Sequence, residues 1–372
     1  MIAFFSLVLV SYLVMMTVAL WGWKIVRSRR LEPDPVKRVI TIVVSFRNED
    51  KVIHHLIHSL TLLDYPKENL EVIFVDDHSE DNSYNVVKSL IYDQPHFQLI
   101  MQNEHKLGKK AAITRAVEMA KGEIIVTTDA DCEVPVNWLQ KVNDAYKNDG
   151  INMTFGGVRL KTNKSFFLFL QAIEFTSLIG SMAASLGYNS FMMGNGANLS
   201  FRKAAFQFVK GYEGNAEIAS GDDEFLARKI IKSFPGSLCF INSDEAVVAT
   251  RPAKSVRAFI EQRIRWAGKW KFNAFSSSGI LAVYVLLVQL ATVSVAISAF
   301  NVREGMFLLL AILMVKMILE CWFLYKVSHF LKSGWNWVAF IVLQFIYPFY
   351  VLGIGIASQL RSYKWKGRRI WQ

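Results

Sequence analysis

The sequence predicts an α/β domain, a mostly parallel sheet with crossover helices, flanked by transmembrane helices. Three observations carry that prediction. Hydrophobic residues make up 52% of the 372, more than one ordinary soluble domain uses, yet charged residues run through the middle of the chain. Four long apolar stretches lie outside that middle, at 2–23, 279–300, 305–325 and 335–359; each is about one membrane thickness when helical. Between them, from Val39, short β-branched runs alternate with helical ones, the pattern of parallel strands joined by crossover helices.

The flanks justify the membrane stretches. The first contains no charged residue and is followed at once by Lys24, Arg27, Arg29 and Arg30. A cleaved signal peptide carries its charge before the apolar run and ends in small residues, and neither holds here. The region 1–26 is therefore read as a transmembrane helix, and the positive-inside rule puts the domain that follows in the cytosol of an inner- or plasma-membrane protein. A net charge of +11 collects at 24–30, 251–271 and 361–369, each beside an apolar run. That placement fits a lipid bilayer and not nucleic acid. Cys132, Cys239 and Cys321 are far apart and lack metal-ligand spacing, which favours a reducing compartment over a disulfide framework.

After a stiff linker, Glu32-Pro33-Asp34-Pro35, the elements follow in order. Strands are expected at 39–44, 71–75, 97–101 and 123–128, and helices at 49–63, 81–91 and 109–120. Beyond Asn152 the alternation is lost. The stretch 166–186 is apolar, with Glu174 its one charge. It reads as an amphipathic or partly buried helix against the membrane face rather than a span, because a crossing here would split the domain at 36–250 between compartments.

Ligands of open parallel sheets bind outside the carboxyl ends of the strands, and three polar clusters fall at such ends: 45–49, 76–79 and 129–131. Thr127-Thr128-Asp129-Ala130-Asp131-Cys132 is the most informative, since it sets two carboxylates one residue apart where a buried strand gives way to a turn. Mg²⁺ takes one or two carboxylates plus phosphate oxygens, so the pair is a candidate site for a divalent metal and a diphosphate. Alone, Asp-Ala-Asp also fits a solvated turn with helix-capping character.

Six motifs in order make the chain resemble the membrane-bound family 2 glycosyltransferases, the group of cellulose, chitin, hyaluronan and poly-N-acetylglucosamine synthases and lipid glycosyltransferases. They are Val44-Ser45-Phe46-Arg47-Asn48-Glu49, Val75-Asp76-Asp77-His78-Ser79, Gly108-Lys109-Lys110-Ala111-Ala112, Asp129-Ala130-Asp131, Gly221-Asp222-Asp223 and Gln262-x-x-Arg265-Trp266. The resemblance covers 39–270. It implies a GT-A fold and inverting transfer from a nucleoside diphosphate sugar, with Mg²⁺ or Mn²⁺ as cofactor. By it, Ser45, Arg47 and Glu49 line the nucleotide pocket, Asp77 bonds the base, Lys109 lies near the diphosphate, and Asp129 and Asp131 bind nucleotide and metal, Asp131 more closely. Gly194 and Asn195 fall by the acceptor on the resemblance alone.

Inverting transfer needs a base for the acceptor hydroxyl, and Asp223 is chosen, with Asp222 and Glu224 beside it to raise its pKa by like-charge repulsion. Gly-Asp-Asp also reads as a helix N-cap. Arg265 can grip a diphosphate oxygen and Trp266 offers a flat face to an acceptor sugar. Gln262, Arg265 and Trp266 lie in a region, 251–276, that equally fits a basic aromatic helix on the bilayer surface, with Arg257, Phe259, Arg263, Trp270 and Lys271. Asp76 and Lys110 read as structural neighbours, and His54, His55 and His58 as a solvated face without a nearby carboxylate.

Within the membrane region, 279–360, Lys316 and Glu320 sit four apart on one helix face. They line an acceptor or product path, or they form a packing-side ion pair. Three crossings after a cytosolic domain leave the tail outside, whereas Arg361, Lys364, Lys366, Arg368 and Arg369 argue for inside. Pro348, Gly353 and Gly355 permit a kink or re-entrant turn. The leading functional expectation is transfer to a growing polysaccharide; single transfer to a lipid is the alternative, and an inactive scaffold subunit the reading from another class.

Overall fold

The computed structural model describes residues 2–103, 107–162, 165–215, 221–268, 277–299, 306–360, 363–365 and 368–370. In chain order the elements are α1 (Ile2–Ser28), β1 (Ile40–Phe46), α2 (Ile53–Thr61), β2 (Leu70–Asp76), α3 (Ser83–Leu90), β3 (Phe97–Met101), α4 (Lys109–Met119) and β4 (Ile124–Asp129). Next come α5 (Trp138–Ala145), β5 (Met153–Phe155), β6 (Val158–Leu160), α6 (Phe166–Gly187), β7 (Leu199–Arg202), α7 (Lys203–Phe208), α8 (Asp222–Ser233), β8 (Leu238–Phe240) and β9 (Val248–Thr250). Then follow α9 (Val256–Ala267), α10 (Ser277–Ala299), α11 (Met306–Leu331), α12 (Trp337–Leu360), β10 (Tyr363–Trp365) and β11 (Arg368–Ile370). They fall into two compact units. A sheet unit comprises Val26–Lys161 and Leu186–Arg251; a helical unit comprises Met1–Ile25, Thr162–Ser185 and Pro252–Gln372.

The sheet unit is built on seven strands in the order β3-β2-β1-β4-β7-β5-β8. β3, β2, β1 and β4 run parallel, β4 and β5 pair antiparallel with β7, and β8 runs parallel to β5. This is the mostly parallel α/β sheet that the sequence predicts. Every residue of β2 is buried, as are Ile40 to Val44 of β1 and Ile124 to Thr128 of β4, which is why these strands read as unbroken β-branched runs. The expected helix at 49–63 is shorter because Asn48 takes φ +53° and residues 49–52 close a turn in which Val52 and Ile53 both donate to the Glu49 carbonyl. Beyond Asn152 the chain does not stop making sheet. It makes strands of three or four residues, too short to register as a periodic signal.

The chain steps outward from β1 to β3 and returns to place β4 beside β1, so the strand order reverses between β1 and β4. A crevice opens at such a point, outside the carboxyl ends. Register puts Ser45 opposite Asp129 there. The other end of the sheet is closed by a buried carboxylate. Glu71 accepts from Thr41 Oγ1 (2.6 Å), the Lys121 amide (2.8 Å) and Gln98 Nε2 (3.1 Å).

Buried Asn198 holds the short-strand half together. Its Oδ1 accepts from Trp138 Nε1 at 2.9 Å, and its Nδ2 donates to the carbonyls of Gly157 (2.9 Å) and Ala246 (2.8 Å). Gly156 packs so closely on this amide that no side chain fits there.

In the helical unit, α1, α6, α10 and α12 are each long and apolar enough to cross a membrane. These helices mark the chain as membrane-associated. α6 packs among them: Ile173 forms a core with Ala339 and Phe340 of α12, and a Cβ on Gly180 would stand 2.9 Å from Val327 Cγ2 of α11. α6 therefore belongs to the helical unit and divides the 36–250 stretch. α12 continues as one helix through Pro348, so no re-entrant turn forms there. The α11 pair of Lys316 and Glu320 is closed at 2.9 Å, with Tyr12 Oη donating to Glu320 (2.6 Å) and Lys316 donating to Gln344 Oε1 (3.4 Å). Phe300 and Gly305, Trp270 and Lys271, and Arg361 and Lys366 lie outside the described residues.

Asn198→Ala strands a buried indole donor and two carbonyls, a cost of about 2–4 kcal/mol. Thermal unfolding in detergent will show a lowered Tm. Asn198→Asp will do no better, since a carboxylate cannot donate to the two carbonyls. An unchanged Tm in either variant contradicts the assignment.

Candidate active site at the carboxyl end of the sheet

The site grows from β4. Asp129 ends the strand and Asp131 follows in the turn, where the Cys132 amide donates to the Asp129 carbonyl at 3.0 Å. A ligand atom from each of Asp129, Asp131 and Cys132 lies within 4.8 Å of the others. The two carboxylates offer hard oxygen ligands at a spacing that suits Mg²⁺ or Mn²⁺. Burial, then the charges of Asp131 and Asp129, push the Cys132 thiol well up.

Lys109 joins this pair to a second carboxylate group. Its Nζ lies 2.6 Å from Asp129 Oδ1 and 3.1 Å from Asp222 Oδ2. Burial alone would lower the ammonium, but the charges of Asp129 and Asp222 outweigh it and hold Lys109 well above its ordinary value. Lys109 is aimed from behind by Asp77. Gly108, at φ +93°, precedes α4 in a conformation that favours glycine, and its amide donates to Asp77 Oδ1 at 3.0 Å. A residue expected to contact the base is thus also the post that fixes the Lys109 turn.

At the start of α8, Gly221 adopts a left-handed φ of +83° and the acidic residues Asp222, Asp223 and Glu224 occupy the first turn, where the helix dipole favours them. Asp223 Oδ1 accepts from the Glu224 amide at 2.8 Å. The crowding of like charge expected around Asp223 is offset: Asp222 pairs with Lys109, and Glu224 pairs with Arg228 at 2.8 Å. The Gly194-Asn195-Gly196 loop lies against this helix start. A Cβ on Gly194 would meet Asp223 Cβ at 3.2 Å and Phe155 Cε1 at 2.9 Å; one on Gly196 would meet Asp222 Oδ2 at 2.9 Å and Lys109 Nζ at 3.0 Å. The loop is tied to β4 as well, since Thr127 Oγ1 donates to the Gly196 carbonyl at 3.2 Å. Geometry thus joins three motifs that are far apart in the chain.

The turn after β1 is locked to the turn after β2. Arg47 is buried and donates to the carbonyls of Asp77 and His78, and pairs with Glu80 at 2.6 Å. The amides of Asn48 and Glu49 donate to Ser79 Oγ (3.1 Å) and Ser83 Oγ (2.7 Å). Arg47 is thereby a clamp on the 77–80 loop, and Ser45 sits at the switch point. Asp76 caps its own turn by accepting from Ser79 N and Oγ, and Lys110 donates to the Asn215 carbonyl at 2.8 Å. His55 Nδ1 lies 3.7 Å from Glu133, a carboxylate that the sequence does not place beside the histidines.

Sequence reasoning missed two neighbours of the site. Thr250 Oγ1 donates to Asp131 Oδ1 at 3.4 Å, and the buried Tyr212 hydroxyl is pushed well up, first by burial and then by Asp222. Both come from short loops or strands with no motif to announce them.

In the helical unit, α9 carries Gln262, Arg265 and Trp266. The buried charged residue of this helix is Arg263, which forks onto Glu174 of α6, Nε to Oε1 at 2.9 Å and Nη2 to Oε2 at 2.5 Å. Its guanidinium covers the ring of Trp266 at 4.3 Å and takes the Gln262 side-chain oxygen at 2.6 Å. α9 is therefore packed into helices by a buried ion pair, which a helix lying free on the bilayer surface is not.

Residues 41–209 match the family model for glycosyl transferase family 2. Among curated relatives, a β-monoglucosyldiacylglycerol synthase of Synechocystis is 25% identical over 198 residues, 53% of this chain and 36% of that protein. A poly-β-1,6-N-acetyl-D-glucosamine synthase of Staphylococcus epidermidis is 24% identical over 233 residues, 61% of this chain and 53% of that protein. The chain thus spans about a third to a half of the length of these relatives. A solved mannosyltransferase of Pyrobaculum calidifontis, in complex with GDP-mannose and Mn²⁺, superposes with a TM-score of 0.61 at 19% identity, covering 93% of this chain and 99% of that one, which shows the shared fold. With the strand order, the switch point and the Asp-x-Asp turn already in place, residues 41–209 are a family 2 glycosyltransferase domain on the GT-A fold.

Proposed function

We propose that this chain moves a sugar, with inversion, from a nucleoside diphosphate sugar, most simply a UDP-sugar, to a hydroxyl of a membrane-held acceptor. One observation carries the reading: Asp129, Lys109, Asp222 and the Gly194–Gly196 loop converge at the sheet's switch point, with Asp131 and Asp223 adjoining. Ser45, Glu49 and Asp77 line the nucleotide pocket, and Arg47 shapes it by clamping the 77–80 loop. Mg²⁺ or Mn²⁺ held by Asp129 and Asp131 would supply charge neutralisation for the departing diphosphate. Lys109 already bonds one oxygen of Asp129, so Asp131 is the principal metal ligand of the pair. Lys109 and Arg265 add positive charge for the diphosphate. Asp223 takes the proton of the acceptor hydroxyl as its oxygen bonds to the anomeric carbon and the bond to the diphosphate breaks. Gly194, Asn195, Gln262 and Trp266 serve the acceptor. The catalytic domain works in the cytosol, where soluble donors are.

The acceptor is a growing polysaccharide in the first reading, which rests on Gln262-x-x-Arg265-Trp266. Transfer of one sugar to a lipid is the second, and one observation favours it. Lys316 and Glu320 do not stand open to a path; they are bonded to each other, to Tyr12 and to Gln344. Both relatives named above leave room for either outcome, one by its name a glycolipid synthase and the other a polymer synthase.

Membranes holding the full chain, incubated with labelled UDP-glucose, UDP-N-acetylglucosamine or GDP-mannose, will pass label to lipid or polymer, and chromatography will separate the two. EDTA will stop transfer and Mn²⁺ will restore it, with Asp131→Asn needing about tenfold more metal. Turnover that ignores EDTA counts against the metal assignment.

Asp223→Asn will lower kcat by about 10²–10⁴-fold with donor binding retained. Lys109→Met, which unties Asp129 from Asp222, will weaken donor binding as well as turnover. If transfer persists in Asp223→Asn at the wild-type rate, the base is another residue.

A further inference from the structure

The geometry points to Glu174 and Arg263 as positioning residues that set the acceptor-side face of α9, an inference that rests on the transfer function proposed above. Glu174 is the one charged residue of α6, a helix apolar and long enough to cross a membrane. A carboxylate there is costly to bury unless it is paired and hydrogen-bonded. It is bonded by Arg263 of α9 through both oxygens and by the Tyr350 hydroxyl of α12 at 3.3 Å, so three helices meet at one carboxylate. Aromatic contacts seal the junction. Phe259 stacks on Tyr350 at 5.6 Å and meets Phe167 edge-on at 6.0 Å, while Trp266 lies 6.3 Å from Phe175.

Arg263 then turns toward the motif itself. One nitrogen holds the Gln262 oxygen at 2.6 Å, and the guanidinium plane covers Trp266 at 4.3 Å and Phe259 at 4.5 Å. Two of the three motif side chains are therefore oriented by an arginine that lies between them in sequence. The chain of contacts runs from a membrane-helix carboxylate, through one guanidinium, to the side chains read as acceptor contacts. A planar fork is required for that geometry, since an ammonium cannot bond two carboxylate oxygens side by side and also cover a ring. A misplacement of about 1 Å in a positioning group costs up to about 10²-fold in rate.

The test uses the full chain in membranes and two readouts. For the first, protein carrying 5-fluorotryptophan gives a ¹⁹F line for Trp266, assigned by its loss in Trp266→Phe. That line will shift in Arg263→Lys and in the neutral double variant Glu174→Gln with Arg263→Met, and will stay in place in Lys316→Met with Glu320→Gln. The double variant leaves no unpaired buried charge, so its membrane yield and melting will stay near wild type. The second readout is the labelled-donor reaction. Transfer to the membrane acceptor will drop at least tenfold in the double variant, while donor KM and nucleotide release without transfer hold within about twofold. A Trp266 line that does not move overturns the proposal whether or not the wild type transfers sugar. A moved line with transfer falling and donor KM rising together reduces the pair to general packing and overturns its positioning role. A wild type that transfers none of the three sugars counts against the proposed function, and the ¹⁹F line still decides the positioning.

Discussion

One ammonium organises the sheet unit's polar end. Lys109 stands between Asp129 and Asp222, so it fastens the end of a parallel strand to the first turn of a helix far along the chain. Remove the charge and two carboxylates face each other with no cation between them. The lysine is held high by those carboxylates and stays charged across the working pH range, so the tie does not loosen as pH drifts. Its aim is also fixed from behind, because Asp77 accepts the Gly108 amide and sets where α4 begins. Asp77 is fixed in turn by the Arg47 clamp on its loop. Each of these links is a charge-assisted bond in a partly dry setting, where such bonds are strong and orphaned partners costly.

That arrangement explains why the site tolerates so many acidic groups. Asp129 and Asp131 sit one residue apart, yet Asp129 spends an oxygen on Lys109 and Asp131 accepts from Thr250. Asp222 and Glu224 flank Asp223, yet both are matched by cations of their own. The helix start supplies further favourable potential through its dipole. Acidity is therefore distributed among partners, and the pieces that stay acidic are those a divalent cation and an acceptor proton would meet.

Much of this was legible in the sequence, for reasons that can be named residue by residue. β1, β2 and β4 are buried almost throughout and read as β-branched runs; their polar ends stand out because Asp76-Asp77 and Asp129-Ala130-Asp131 interrupt those runs. The short strands after Asn152 were not legible, since three residues carry no period. Nor was the convergence. Gly194 falls by the acceptor on the resemblance alone, and nothing in the spacing of Gly194 and Gly196 says that a Cβ there would strike Asp222, Asp223 or Lys109. In the sequence Arg263 is one of several basic residues of a helix that fits the bilayer surface. Its partner, Glu174, lies in another apolar stretch, and a pairing between distant positions leaves no local trace.

The two charged pairs of the helical unit differ in what they can transmit. Lys316 and Glu320 are four apart on one helix, so their bond is made within α11, and Tyr12 and Gln344 merely complete it. Such a pair neutralises itself and lets the helix sit in an apolar setting at low cost. Arg263 and Glu174 belong to different helices, and neither is neutral without the other. Burial makes an unpaired partner far more costly than in water, so α6 and α9 are committed to one relative register. A bidentate fork adds direction to that commitment, because it fixes the guanidinium plane and with it the faces of Trp266 and Phe259. Where a helix carries residues that must meet a substrate, a partner of this kind does what a propensity or an apolar stripe cannot: it sets the helix's rotation as well as its depth.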